Sequence, residues 1–365
     1  MDHTQNIGLQ WLLITTLALL FKPAPIMLLM YDLCFLMTQV EATKVPAIIV
    51  FGDSTVDAGN NNHVQTLARS NFAPYGRDFE GGKPTGRFSN GRLATDFFSE
   101  ALGIKAFIPA YLDPAYGIED FATGVTFASA GTGYDNLTSQ ITNVIPLWKQ
   151  IEYFKDYKAK LSAYLGKTKA EETIQQALFV TSLGTNDFVV DYYLFPSRPS
   201  QFTIEEMGGC REDLNNLARD FGGKVSGVVS KLSKELTGTK MVFLNLLDKP
   251  LHIIRNPHLY GLATSTIRIA SDQEAIAHIV GRLENVGRGC CGSGTFEIAF
   301  ACHEPDPFTC TNASAYAFWD SVHPTELMVR LGQDIFVGSR GFLESSPSRW
   351  AMTDHAVKHL GRKSV

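Results

Sequence analysis

Four short runs of apolar and β-branched residues punctuate the chain: Val45 to Phe51 (VPAIIVF), Val125 to Ala130 (VTFASA), Ala177 to Leu183 (ALFVTSL) and Lys240 to Leu247 (KMVFLNLL). They are nearly continuous rather than alternating, the pattern of strands covered on both faces in a parallel sheet. Between them, Arg92 to Leu102, Ile145 to Leu165 and Asp213 to Leu236 carry apolar residues at three- and four-residue spacing, which predicts amphipathic helices. Strands alternating with helices predict an α/β domain, a parallel sheet wrapped by helices. In such sheets the ligand crevice lies beyond the carboxyl ends of the strands. The polar clusters fall there: Gly52-Asp53-Ser54 after the first run, Gly131-Thr132-Gly133 after the second, Gly184-Thr185-Asn186-Asp187 after the third.

The first 42 residues break this pattern. Two apolar stretches, Gly8 to Phe21 and Ile26 to Met37, are separated by Lys22-Pro23-Ala24-Pro25, and Val40-Glu41-Ala42 offers a small-x-small cleavage site. Runs of this length suit a signal-peptide core better than a bilayer span of about 20 residues. The expectation is a removed leader, a mature chain starting near Thr43, and secretion; a retained membrane anchor is the lesser alternative. The remaining chain is expected to make no stable membrane insertion.

Among 365 residues, 45% are hydrophobic and the net charge is −5 without a block of like charge. That excludes a basic nucleic-acid surface and leaves small neutral or apolar substrates open. Of six cysteines, Cys34 lies in the leader, leaving Cys210, Cys290, Cys291, Cys302 and Cys310. In an oxidising compartment four could pair, with one left over. A zinc site built from these cysteines and His303 is disfavoured, because adjacent cysteines lack the usual C-x₂-C spacing. Asn136-Leu-Thr and Asn312-Ala-Ser are glycosylation sequons, consistent with export.

Ser54 closes an apolar strand at a glycine-containing turn, where a hydroxyl can project from the top of a sheet. Alone, it reads as a helix N-cap rather than a nucleophile. A nucleophilic serine needs a base and a group that orients the base. Asp320-Ser321-Val322-His323-Pro324 offers both: on a tight turn the Asp320 carboxylate can reach His323 Nδ1, leaving Nε2 to accept the serine proton. Acyl transfer also needs oxyanion donors, and Gly131 and Asn186 stand where the backbone N–H of one and the side-chain amide of the other could supply them.

Four ordered blocks, FGDSTVDAGNNN (Phe51–Asn62), GVTFASAGTGYD (Gly124–Asp135), FVTSLGTNDF (Phe179–Phe188) and FWDSVHP (Phe318–Pro324), resemble the plant GDSL esterase/lipase family of the SGNH hydrolase superfamily. The resemblance covers most of the chain from Val45 to about Pro324. It implies a three-layer flavodoxin-like fold, no metal or organic cofactor, and small-molecule or lipid esters as substrates. By resemblance Ser54 is the nucleophile, His323 the base and Asp320 its orienter. Gly131 and Asn186 complete the oxyanion hole with the Ser54 amide, Gly124 being the less favoured alternative to Gly131. Acyltransferases in the family share this triad, and a binding-only relative with an inert triad is the reading from a different class.

The chain also departs from the family. A segment with one buried strand and a G-x-P-P-x-G-C-x-P-like loop is missing between the third block and Gly208-Gly209-Cys210, so the sheet is expected to lack one family strand. Residues 262–283 read as an insertion. The hydrolase domain is expected over 43–326, with 327–365 an atypical tail lacking a closing helix with a sustained apolar stripe.

Overall fold

In the computed structural model of the protein, the described residues are 45–187, 212–235, 243, 285–303 and 308–338. The expected leader, Cys210, the expected insertion 262–283, the place of the family segment expected to be missing and, apart from Phe243, the run Lys240 to Leu247 lie outside them.

The centre is a parallel three-stranded sheet of β1 (Ile48–Gly52), β2 (Gly124–Thr126) and β3 (Leu178–Ser182), in the order β2-β1-β3. Every residue of β1 is buried, because neighbours pair with both its edges and helices cover both its faces. Side chains alternate across a strand. Ile49 and Phe51 therefore join Val125 and Phe127 in one core, closed by Tyr157 and Leu161 of α4 (Leu147–Leu165) and Ala170 of α5 (Lys167–Gln176). Ile48 and Val50 join Val56, Ile108 and Ala128 on the opposite face, with Phe98 of α1 (Ala94–Ala101) against them. The result is the expected three-layer α/β arrangement. Two shorter helices, α2 (Ile118–Phe121) and α3 (Asn136–Thr142), lie before and after β2.

Two strands differ from the sequence expectation. β2 ends at Thr126, although Phe127 and Ser129 still donate to the carbonyls of Val50 (2.8 Å) and Gly52 (3.0 Å). The reason is local. Asn60 Nδ2 takes the Thr126 and Ala128 carbonyls at 2.9 and 2.8 Å, so side chains replace a ladder along the outer side of this segment. β3 is not covered on both faces; Phe179 and Thr181 are exposed, as on an outer strand whose described pairing is to β1 alone.

Beyond helix α6 (Glu212–Glu235), β4 (Asn285–Gly289) and β5 (Tyr316–Phe318) form a second parallel pair. The disulfides Cys290–Cys310 and Cys291–Cys302 follow β4 immediately, so four of the cysteines pair and none of these is left as a thiolate for zinc. Among the described residues no helix is long and apolar enough to cross a membrane.

Where no closing helix was expected, α7 (Glu326–Gly338) packs against α1 and β5 and buries Met328 and Leu331. Thr325 opens the helix: its Oγ1 accepts the Met328 N–H at 3.3 Å and its carbonyl the Val329 N–H at 3.0 Å. The apolar stripe is only three turns long. Read across the whole 39-residue stretch 327–365 it is diluted below recognition, whereas three turns suffice where a neighbouring helix already offers a buried face.

Candidate active site

β1 delivers Ser54. Past Thr126 the Gly52 N–H no longer meets β2, and the buried side chain of Gln150 on α4 takes over: its Oε1 accepts the Gly52 N–H and its Nε2 donates to the Gly52 carbonyl, both at 2.9 Å. Gly52 adopts φ +140°, and a Cβ there would stand 2.1 Å from the Ser182 carbonyl oxygen, so only glycine lets the chain turn this close to β3. Asp53 N–H donates to that carbonyl at 3.0 Å. The Asp53 side chain is buried, with Oδ1 accepting from Thr55 N–H and Oγ1 and Oδ2 without a partner among the described residues. Burial raises its pKa against the lowering effect of the Thr55 hydrogen bonds.

The corner after β5 delivers the other two residues. Trp319 N–H donates to the His323 carbonyl at 2.7 Å, closing a tight turn, and Cys291 N–H donates to the Trp319 carbonyl at 2.7 Å. Within the turn Asp320 Oδ1 accepts the N–H groups of Val322 (2.9 Å) and His323 (2.7 Å). Its carboxylate meets His323 Nδ1 at 2.8 and 2.9 Å, and His323 Nε2 meets Ser54 Oγ at 2.7 Å. Ser54, Asp320 and His323 are all buried, and the imidazole lies against the Phe88 ring at 4.9 Å. Ser54 Oγ thus faces an imidazole instead of capping a helix, and the Asp320–His323 corner is buried.

Because β1 is central, the loops after β2 and β3 flank Ser54 from its two sides, a point where successive connections diverge. Gly131, at φ +90°, lies in the first loop. In the second, Asn186 Nδ2 donates to the Thr132 carbonyl at 3.0 Å, which keeps one of its two amide hydrogens available. Asp187 fastens the same two loops, accepting from Tyr134 N–H, Asp135 N–H and Thr138 Oγ1 at 2.8–3.0 Å. Gly124 pairs with Ile48 at the start of β1, the opposite end of the strand from Ser54, which removes it as an oxyanion candidate.

Three residues of the site's frame had no role in the sequence reading. Gln150 is one. Asp57 is another: fully buried, it accepts the N–H groups of Gly59 and Asn60 and, at 3.0 Å, that of Ala130 beside Gly131. Burial raises its pKa to about 6 in spite of these donors. The third is Tyr75, whose hydroxyl donates to Asp320 Oδ2 at 2.6 Å. The density of Asp and Asn in Phe51–Asn62 was a signal for Asp57; Tyr75 and Gln150 offered none beyond their residue types. No cluster of metal-ligating side chains occurs among the described residues.

Comparison with known proteins identifies relatives of the chain as a whole. Residues 48–203 match the family model described as GDSL-like Lipase/Acylhydrolase. The chain is 47% identical over 334 residues to the GDSL esterase/lipase At2g04570 of Arabidopsis thaliana, covering 79% of this chain and 89% of that protein. It is 44% identical to At2g42990 of the same plant and name, covering 83% of this chain and 95% of the relative. For At4g26790, again a GDSL esterase/lipase, the identity is 44% and the shares are 78% and 88%. With a buried Ser-His-Asp constellation at the mouth of a parallel sheet and relatives this similar over most of their length, the chain belongs to the plant GDSL esterase/lipase family of ester hydrolases.

Proposed function

We propose that the protein hydrolyses carboxylic esters of small molecules or lipids through an acyl-enzyme on Ser54. The observation that carries the reading is His323, which bridges Ser54 Oγ at 2.7 Å and the Asp320 carboxylate at 2.8 Å. His323 Nε2 takes the Ser54 proton as Oγ attacks the ester carbonyl, and Asp320 stabilises the imidazolium. The oxyanion is met by the Ser54 and Gly131 N–H groups and the free Asn186 amide hydrogen. Collapse expels the alcohol with the proton from Nε2. Water then repeats the sequence on the acyl-enzyme, releasing the acid and restoring Ser54. No metal or organic cofactor enters these steps.

Secretion as a glycoprotein after loss of residues 1–42 belongs to the same proposal. Two disulfides favour an oxidising compartment, and Asn136 and Asn312 of the two sequons are both exposed. The chemical test is a fluorophosphonate probe beside a p-nitrophenyl ester assay. Labelling and turnover should both vanish in Ser54→Ala, and turnover in His323→Ala, with the fold intact. More than about a tenth of wild-type turnover in Ser54→Ala, an effect of only about 1.4 kcal/mol, overturns the assignment.

A further inference from the structure

Tyr75 is 1% exposed, and its ring is held edge-on by Phe72, Phe88 and Trp319 at centroid distances of 5.8, 5.7 and 6.1 Å. Its hydroxyl has both its roles filled. The oxygen accepts the Ala299 N–H at 3.0 Å, and the hydrogen goes to Asp320 Oδ2 at 2.6 Å. Ala299 lies inside the loop closed by Cys291–Cys302. The other donors to the carboxylate, Val322 N–H, His323 N–H and His323 Nδ1, all come from within three residues of Asp320. Tyr75, 245 residues away, ties Asp320 to the rest of the domain.

We propose that Tyr75 is a positioning residue of the hydrolytic site, its hydroxyl fixing the Asp320 carboxylate against His323 Nδ1 and moderating the negative charge that the imidazole experiences. The proposal rests on the reading of Ser54, His323 and Asp320 as the working triad. A charge-assisted O–H···O⁻ bond of this length is strong and directional, so it anchors Oδ2 from outside the turn whose own N–H groups hold Oδ1. Burial and the neighbouring Asp320 push the phenol well above its ordinary value, so it remains a donor throughout the working pH range. The titratable and charged groups around the imidazole are Asp320 and Tyr75 on one side and the buried Asp53 of the nucleophile turn on the other. Arg77 is directed elsewhere, to the Cys310 carbonyl and the Trp319 ring.

Two replacements separate positioning from packing. Tyr75→Phe keeps the ring and removes the hydroxyl. It should lower kcat by about tenfold to a hundredfold with KM changed less than about twofold, since the lost interaction acts on the transition state. The acid limb of kcat/KM should move to higher pH, because a carboxylate relieved of one donor holds the imidazolium more tightly. Replacing Tyr75 by a ring-fluorinated tyrosine keeps the hydroxyl and makes it a stronger donor, so kcat should stay near wild type and the acid limb should move to lower pH. A kcat within twofold of wild type in Tyr75→Phe overturns the proposal, as does an acid limb that moves in neither variant. Should Tyr75→Phe fail to fold, the fluorotyrosine protein decides alone. Ser54→Ala, run in parallel, keeps the two readings apart: residual turnover there removes the triad, whereas an inert Ser54→Ala beside an unaffected Tyr75→Phe removes only the role of Tyr75.

Discussion

Replacing Gln150 with leucine, a side chain of similar size, removes the clamp on the turn that presents Ser54. Its consequences can be worked group by group. The Gly52 N–H loses its acceptor Oε1 and is left buried without a partner, a cost of about 1–3 kcal/mol. The Gly52 carbonyl keeps the Ser129 N–H at 3.0 Å, and the Thr132 hydroxyl keeps the carbonyls of Ser129 and Ile145, so neither is orphaned. The expected loss is therefore about 2 kcal/mol, near the middle of that range. For a domain of this size it lowers the melting midpoint by roughly 3 °C. Gln150 Nε2 also reaches Thr132 Oγ1 at 3.2 Å, linking the nucleophile turn to the oxyanion loop, so kcat should fall with the stability while Gln150→Leu still binds substrate. Thermal melting and steady-state kinetics on one ester are sufficient. A melting midpoint and kcat both equal to wild type would refute the view that this side chain substitutes for the missing end of β2.

Two further outcomes follow from the site and its surrounding loop. Asn186→Ala should lower kcat about a hundredfold with little change in KM, because an oxyanion donor acts mainly on the transition state; a raised KM at constant kcat would make Asn186 a substrate-binding group instead. Glu297 is held down to about 2: burial pushes its pKa up, but Ser293 N–H and Oγ with Thr295 and Phe296 N–H outweigh it. A depressed carboxylate stabilises the fold above its unfolded value near 4.5 and loses that effect as pH falls toward 2. Glu297→Gln should therefore melt lower than wild type at pH 7, with the gap closing below pH 4.5, and a gap that does not narrow in that window contradicts the assignment.

The elements legible in the sequence were those whose cause is local. β1 announces itself as an apolar run because both its faces are covered, and the Asp320/His323 turn is readable because its donors lie within three residues. What escaped depends on distant partners. Tyr75 acts on a residue 245 positions away, Gln150 on one 98 away and Asp57 on one 73 away, and the partners of the last two are backbone groups that carry no side-chain signature. The pairing of Cys290, Cys291, Cys302 and Cys310 was equally open, since four cysteines admit three connectivities. Asn60, whose Nδ2 takes the Thr126 and Ala128 carbonyls at the end of β2, likewise acts on residues 66 and 68 positions away.

The corner bearing Asp320 and His323 is moored to the amino-terminal third of the chain. Tyr75 holds the carboxylate, Phe88 lies against the imidazole, Ser89 Oγ reaches the Pro324 carbonyl at 3.3 Å, and Asn90 Oδ1 accepts the Glu326 N–H at 2.9 Å. Ser54, Gly131 and Asn186 lie within residues 52–187, so these contacts join the corner after β5 directly to the part of the chain that carries the serine. In mechanical terms, a displacement of the loop carrying residues 75–90 is transmitted straight to Asp320 and His323 through these four contacts.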